Sequence, residues 1–403
     1  MRPAAATQGR FSTVTCLLVL SLLQSGCAAT GPSRSVASLA PLQLGAHTLT
    51  VDDVGHRIHT PDLLFTDQSM IDFVAFYTEG VGSDRQRLNL LHRAVTGRGA
   101  LGLEYDPLAG GGARDVYHRG TANCLSFAHL FVALAREADL DASYQWLELR
   151  PEWTRMGERI MVRMHVNVSV ELRAGERYTV DVDPRPSRDI TATRELTDRQ
   201  ASALYHSNIA MEALADEQLG EAWLNAVRAL QLDPATAHLW TNLGAVYRVA
   251  GQYRQAESSY LYALQLDPGD GSAMNNLMVL YGLEGREADR SYWAKRVAVY
   301  RDANPYYHAW QGDLAAEQGD WREALNYYRE ALARRPQDSG LLHSAGMAHY
   351  QLDQLVEAAG YLELAVANAS RRSDIEQFAS ELERVKRDML AAASPAAAVA
   401  QGI

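Results

Sequence analysis

Hydrophobic and polar positions change their spacing several times along this chain. Val14 to Leu23 forms an apolar run of ten residues near the start. A small, polar stretch follows over residues 28–45 and predicts a flexible tether. From residue 46 to about 190, helical and alternating patterns mix. Phe127, Leu130, Phe131, Leu134 and Ala138 recur at helical spacing, which predicts an amphipathic helix starting at Cys124 with Thr121 or Asn123 as its cap. In "RIMVRMHVNVSVELRAGERYTVDVDP", His165, Asn167 and Ser169 alternate with Val166, Val168 and Val170, the mark of a half-buried strand. "RAGE" then turns the chain, and Tyr178, Val180 and Val182 are the apolar positions of a second strand. Odd positions of both strands share one face of that hairpin, so His165 lies on the side of Asp181 and Asp183. Residues 191–202 read as a linker, and beyond them the chain is Ala-rich and helical. Ile375, Phe378, Leu382 and Val385 fall on one helical face and predict a capping helix over residues 371–391, with a disordered tail over 392–403.

The helical half repeats. "HLWTNLGAVYRVAGQYRQAESSYLYALQLDP" carries Trp240, Leu243, Gly244, Tyr247, Gly251, Ala256, Tyr260, Ala263 and Pro268, which match the tetratricopeptide repeat pattern. Counted from Ala237, the frame recurs every 34 residues and gives about five repeats over residues 203–370. The frame at Ala203 supplies Ala222, Ala229 and Pro234; that at Pro305 supplies Gly312, Gly319, Ala324, Tyr328, Ala331 and Pro336. The frame at Ser339 supplies Gly346, Ala358, Leu362 and Ala365. The frame at Gly271 is degenerate, with Ser291 and Lys295 where Ala and an aromatic are expected. Small residues let paired helices approach closely, and aromatics fill the groove between repeats. The expectation is an all-α solenoid whose concave surface takes a protein or peptide partner.

The 403-residue chain holds only three cysteines, and two of them belong to its start. Arg2 and Arg10 precede the apolar run, and Ser25-Gly26 precedes Cys27, so residues 1–26 read as a secretory signal peptide. The apolar run is too short for a membrane-spanning helix. "LLQSGC" resembles the lipobox of bacterial lipoproteins, with Gln24 where that family usually has Leu. The resemblance implies an acylated Cys27 and a lipidated tether over residues 27–45; ordinary cleavage near Ala28 or Ala29 is the alternative. Ala28 after the cysteine resembles lipoproteins sent to the outer membrane, so the expected location is the periplasmic face of the envelope, with membrane contact through the lipid alone. Loss of the leader takes the formal charge from −11 to −13, an acidity that argues against nucleic acid as a partner. "GHRIH", with His56 and His59, has no further ligands nearby and reads as surface histidines. "AGGGAR" lacks the Lys and Ser/Thr of a phosphate loop, and no cofactor or metal is expected.

With Cys16 lost in the leader and Cys27 lipidated, Cys124 is left as a lone thiol without an intramolecular disulfide partner. At a helix start it faces unpaired N–H groups at the positive end of the dipole, which favours the nucleophilic thiolate. The Cys124 amide is also placed to help stabilise an oxyanion. A thiolate nucleophile needs a base and an orienter, and the hairpin offers His165 with Asp181 or Asp183. Cysteine at a helix start, histidine on a strand and aspartate on the next strand is an order that resembles the transglutaminase-like superfamily, a papain-like fold. "YDPLAGGGARDVYHRGTANCLSFAHLFVALAREADLDASYQ" is similar to a bacterial branch that pairs this domain with tetratricopeptide repeats, and the likeness covers roughly residues 75–190. It implies an α+β papain-like domain over residues 46–190, with Cys124 as nucleophile, His165 as base and Asp181 as orienter. Asp183, before Pro184, is the rival: "RYTVD" resembles the family's aromatic-x-V-D strand, while "DP" resembles its commoner ending. Leu125 stands where a Trp often follows the cysteine, and Val166-Asn167 replaces the Trp often found near the histidine. Asp139 stands where a helix-ending Gly is common, and Asp tolerates the left-handed conformation. The implied chemistry is thioester-mediated acyl transfer on an amide, with hydrolysis favoured over cross-linking. The alternative is a non-catalytic repeat scaffold carrying a degenerate transglutaminase-like domain.

Overall fold

A computed structural model describes residues 35–97, 99–149, 152–153, 160–161, 164–173, 175–184, 190–369 and 372–393. The signal peptide, Cys27 and the first part of the tether lie outside the described residues, as does the tail from residue 394. Among the described residues, no helix is long and apolar enough to cross a membrane.

The first half begins with a hairpin, β1 (Leu42–Leu44) and β2 (His47–Leu49), and a short helix α1 (Val51–Arg57). Then come α2 (Gln68–Thr78), α3 (Asp84–Thr96), β3 (Glu104–Tyr105), α4 (Ala113–Arg119), β4 (Thr121–Ala122) and α5 (Cys124–Glu137). The strands β5 (Asp141–Leu149), β6 (Glu152–Trp153), β7 (Ile160–Met161), β8 (Met164–Glu171), β9 (Arg177–Val180) and β10 (Ile190–Leu196) follow. Four of them form an antiparallel sheet in the order β10-β5-β8-β9, while β6 and β7 pair as a separate hairpin between β5 and β8. The helix at Cys124 differs from expectation in one respect. Every residue from Leu125 to Ala135 is buried, because α5 packs against the sheet, against α2, α3 and α4, and against the first solenoid helix. Of its buried polar members, Ser126 pairs with Asn123, and His129 Nδ1 meets the Tyr144 hydroxyl at 2.8 Å while its Nε2 stays unpaired and the ring is held neutral by burial. The helix stops at Ala138, and Asp139 takes the left-handed conformation at φ 55°.

The second half is a run of helix pairs: α6 (Asp198–Ala215) with α7 (Leu219–Leu232), α8 (Ala237–Val249) with α9 (Tyr253–Leu266), and α10 (Gly271–Leu283) with α11 (Glu287–Ala303). It continues with α12 (Pro305–Glu317) and α13 (Trp321–Arg334), then α14 (Ser339–Gln351) and α15 (Leu355–Asn368), and closes on α16 (Arg372–Ala393). The first helices of the last four pairs start 34 residues apart. A Cβ at Gly244 would sit 2.5 Å from the Tyr260 ring, and one at Gly312 would sit 2.5 Å from Tyr328. Those are the close approaches that the small residues permit. The third pair needs a correction of one residue. Strict spacing places Arg290 and Ala294, not Ser291 and Lys295, where Ala256 and Tyr260 stand one repeat earlier. Met278 occupies the Gly244 position, so this repeat exchanges a small–large pair for a large–small one, and α11 buries Trp293 and Val297. In α16, Phe378, Leu382 and Val385 are buried as expected of a cap, whereas Ile375 is 38% exposed.

Two boundaries move. The tether expected up to residue 45 is structured from Val36 onward: Leu39, Leu42, Leu49 and Val54 share one core with Trp223, Trp240 and Tyr247 of α7 and α8. Gln43 N–H donates to Gln252 Oε1 at 2.8 Å, and the Tyr247 hydroxyl donates to the Ala40 carbonyl. Residues 36–58 therefore cover the solenoid rather than open the sheet domain. The linker expected over 191–202 is instead an edge strand and a helix start: β10 pairs with β5, and Thr197 caps α6. The two halves meet where the Trp146 ring stacks on His238, with centroids 5.1 Å apart, and where Arg136 holds Asp198 through two bonds of 2.7 and 2.9 Å.

Candidate active site

Local chemistry fixes where the thiol stands. Asn123 Oδ1 accepts from the Ser126 N–H at 2.9 Å, and the Asn123 N–H donates back to Ser126 Oγ at 3.0 Å, a reciprocal cap that starts α5 at Cys124. Ser126 Oγ also donates to the Ala109 carbonyl at 2.6 Å, so the loop before α4 pins the same turn. Cys124 is half-buried and is a free cysteine.

His165 stands on β8, 2% exposed, with Leu147 of β5 as its cross-strand partner. The β8–β9 register pairs Val168 with Val180; continued past the end of β9, it sets Asn167 opposite Asp181 and His165 opposite Asp183. His165 nevertheless reaches diagonally, and its Nε2 lies 2.7 Å from Asp181 Oδ2. The chain bends after Val180, and Asp183 turns its backbone N–H to Asp181 Oδ1 at 3.0 Å. The structure thus brings Asp181, rather than Asp183, to the imidazole. The Cys124 thiol is near enough to His165 to help raise the ring's affinity for its proton. With Nε2 committed to Asp181, Nδ1 is the ring nitrogen left to exchange a proton with the thiol.

Burial disfavours a charged imidazole, but the Asp181 hydrogen bond, the Cys124 contact and the charges of both outweigh it, and the His165 pKa is pushed up to about 9. A folded value above the unfolded one of about 6.5 means stability that is complete below pH 6.5 and is lost as the pH rises through 9. Urea unfolding at pH 6 and pH 9 should therefore show a loss of up to about 3 kcal/mol that is absent in Asp181→Asn. Equal pH slopes in the two proteins would remove the ion pair from this account.

Two clefts open near these elements, and Cys124, His165 and Asp181 line neither. One of about 440 Å³ lies beside the first turns of α5, lined by Leu108, Asn123, Leu125, His129, Asn208 and Glu212. The other, of about 930 Å³, runs from the end of β5 along α8, α10 and α12; Leu147, Trp146, Arg194, His238, Asn242 and Tyr306 line it. Leu147 pairs with His165 across the sheet, but the rings that wall this cleft toward the solenoid, Trp146 with its cross-strand neighbour Arg194, stand on the alternate face, and His165 does not line it. No single stretch of the chain marks this cleft, since its walls reach from Trp146 to Tyr306. His56 and His59 are exposed, and among the described residues no three His, Cys, Asp or Glu side chains converge as metal ligands would.

Two tetratricopeptide repeat profiles match the chain, over residues 237–270 and 311–373. The helical half is built of tetratricopeptide repeats. Among solved structures, the chain is similar to a MamA protein at 17% identity, over 41% of this chain and 91% of that one, with a TM-score of 0.23. YrrB, described as a repeat protein with an unusual peptide-binding site, shares 19% identity over 43% of this chain and 89% of its own, with a TM-score of 0.23. PilF of Pseudomonas aeruginosa shares 17% over 48% and 88%, with a TM-score of 0.24. No curated protein matches the chain.

Proposed function

We propose that this protein is a tetratricopeptide scaffold that holds a protein or peptide partner in the cleft between its sheet and its solenoid. The observation that carries the reading is the unbroken series of repeats, with a cleft of about 930 Å³ along α8, α10 and α12. Its walls mix aromatic rings with amide and hydroxyl side chains, the composition that grips an extended backbone. Affinity capture from a cell-envelope extract tests it. Ala235→Arg, an exposed substitution at the cleft wall, should reduce recovery of the captured partner at least fivefold, while Cys124→Ala leaves recovery unchanged. Equal capture by Ala235→Arg would move the binding site elsewhere.

The trio supports a second reading, in which the sheet half is a transglutaminase-like, papain-like domain. The 2.7 Å contact between His165 and Asp181, with Cys124 at the start of α5, supplies base, orienter and nucleophile in that domain's order. Cys124 Sγ, its proton held on His165 Nδ1, would attack an amide carbonyl while the Cys124 N–H stabilises the oxyanion; the C–N bond would then break as the leaving amine takes that proton, and a water that gives a proton back to His165 would cleave the thioester to a carboxylic acid and the thiol. The lipobox-like "LLQSGC" supports an envelope location with Cys27 as the acylated anchor.

A further inference from the structure

Asp181 lies just beyond the last residue of β9, where no ladder hydrogen bond holds its backbone and its carboxylate is free to turn about its terminal bond. Three donors nevertheless converge on it. Oδ1 takes the Asp183 N–H at 3.0 Å, and Oδ2 takes both His165 Nε2 at 2.7 Å and Asn167 Nδ2 at 3.3 Å. The Asn167 amide has one tenable orientation, because reversing it would press Oδ1 against a carboxylate oxygen. That orientation leaves Oδ1 buried without a partner in a side chain only 2% exposed. An unpaired buried acceptor bears its full desolvation cost. Val166, Val168 and Val170 show what the same strand uses where packing alone decides. An asparagine that gives up one polar atom to keep the other on Asp181 is placed for that contact.

We infer that Asn167 is a positioning residue: with the Asp183 N–H it clamps the Asp181 carboxylate at two points, so that Oδ2 stays on His165 whatever the protonation of the ring. The inference rests on the reading of Cys124, His165 and Asp181 as one unit. The groups facing His165 are Asp181 beyond β9, Cys124 from α5, the apolar Leu147 from β5, and Asp183 through its backbone. Asp181 is the one carboxylate among them that reaches the ring, so its orientation controls how firmly the imidazolium is held. Without Asn167, the carboxylate would spend part of its time turned away and the ring would release its proton more readily.

Asn167→Val tests this in the full chain. Valine suits the strand and removes the orphaned oxygen, so above pH 9 the protein should lose no stability to urea, and at pH 6 only the about 1.4 kcal/mol that a tenfold fall in the His165 proton affinity implies. The His165 imidazole titration, followed by proton NMR and assigned with His165→Gln, should fall by about one pH unit, a tenfold change in its proton affinity. Alkylation of Cys124 by iodoacetamide at pH 6 should slow by three- to tenfold. Asn167→Gln, which keeps an amide donor, should recover at least half of both effects. A His165 midpoint in Asn167→Val that equals or exceeds the parent's would overturn the clamp while leaving the trio standing. A parent His165 that titrates near 6.5, with Cys124 as slow as a free thiol, would overturn both.

Discussion

His165→Ala should slow alkylation of Cys124 by iodoacetamide about 10- to 100-fold at pH 6, with the helical circular dichroism unchanged. Only the thiolate reacts, and at pH 6 an ordinary thiol holds well under one part in a hundred of it. If Cys124, His165 and Asp181 act as a unit, the imidazolium that Asp181 holds would be the counter-charge for that thiolate. Removing the ring removes the counter-charge and the proton acceptor together. Asp181→Asn should act in the same direction, since an amide cannot hold an imidazolium, and should cost more than Asp183→Asn. The geometry sets that order: Asp183 contributes its backbone N–H, which the substitution keeps, whereas Asp181 contributes the carboxylate itself. A larger loss in Asp183→Asn would reassign the orienter. A Cys124 as slow in the parent as in His165→Ala would leave the scaffold reading without a chemical companion.

The solenoid was legible because its physics is local and repeated. A small residue facing a large one, Gly244 on Tyr260, returns as Gly312 on Tyr328 and Gly346 on Leu362, and each of these states the same helix–helix approach, with the third repeat alone reversing it. The thiol and the imidazole were legible for a different reason. Alternation along β8 sets the face of His165, and a polar cap before an apolar helix sets Cys124 in a first turn. What alternation could not show is the bend after Val180. It breaks the cross-strand correspondence that would have set Asp183 opposite His165 and brings Asp181 onto the ring instead. Residues 36–58 were misread because two three-residue strands carry too few positions to show a period, and their partners are the distant α7 and α8. β10 was misread because it is an edge strand with only Leu196 buried, so "ITATREL" looks like a polar connection. The stack of Trp146 on His238, which joins the halves, belongs to neither pattern alone.

Trp240→Ala should lower the unfolding free energy by about 3–5 kcal/mol, the cost of removing a fully buried indole from a core that cannot collapse around the gap. Trp240 sits in the first turn of α8, with its ring edge-on to Tyr262 at 4.6 Å and its Nε1–H donating to the Pro234 carbonyl at 2.8 Å. It therefore closes the turn between the first two repeats as well as filling their groove. The surrounding core runs without a break from Leu42 and Leu49 of the hairpin through Trp223 and Tyr247 to Met274 and Leu277 of the third repeat. In a solenoid each repeat leans on its neighbours, so the loss should spread along that core and fade toward the cap. Hydrogen exchange should then show α7 to α10 and residues 42–49 opening together, with α14 to α16 little changed. Trp240→Phe keeps a ring and should cost less, mainly the Pro234 bond. Leu364→Ala, at a site 51% exposed, should stay within about 0.5 kcal/mol of the parent. If residues 42–49 remain protected while α8 opens, the N-terminal hairpin is held by something other than the repeats, and its assignment to their core is wrong.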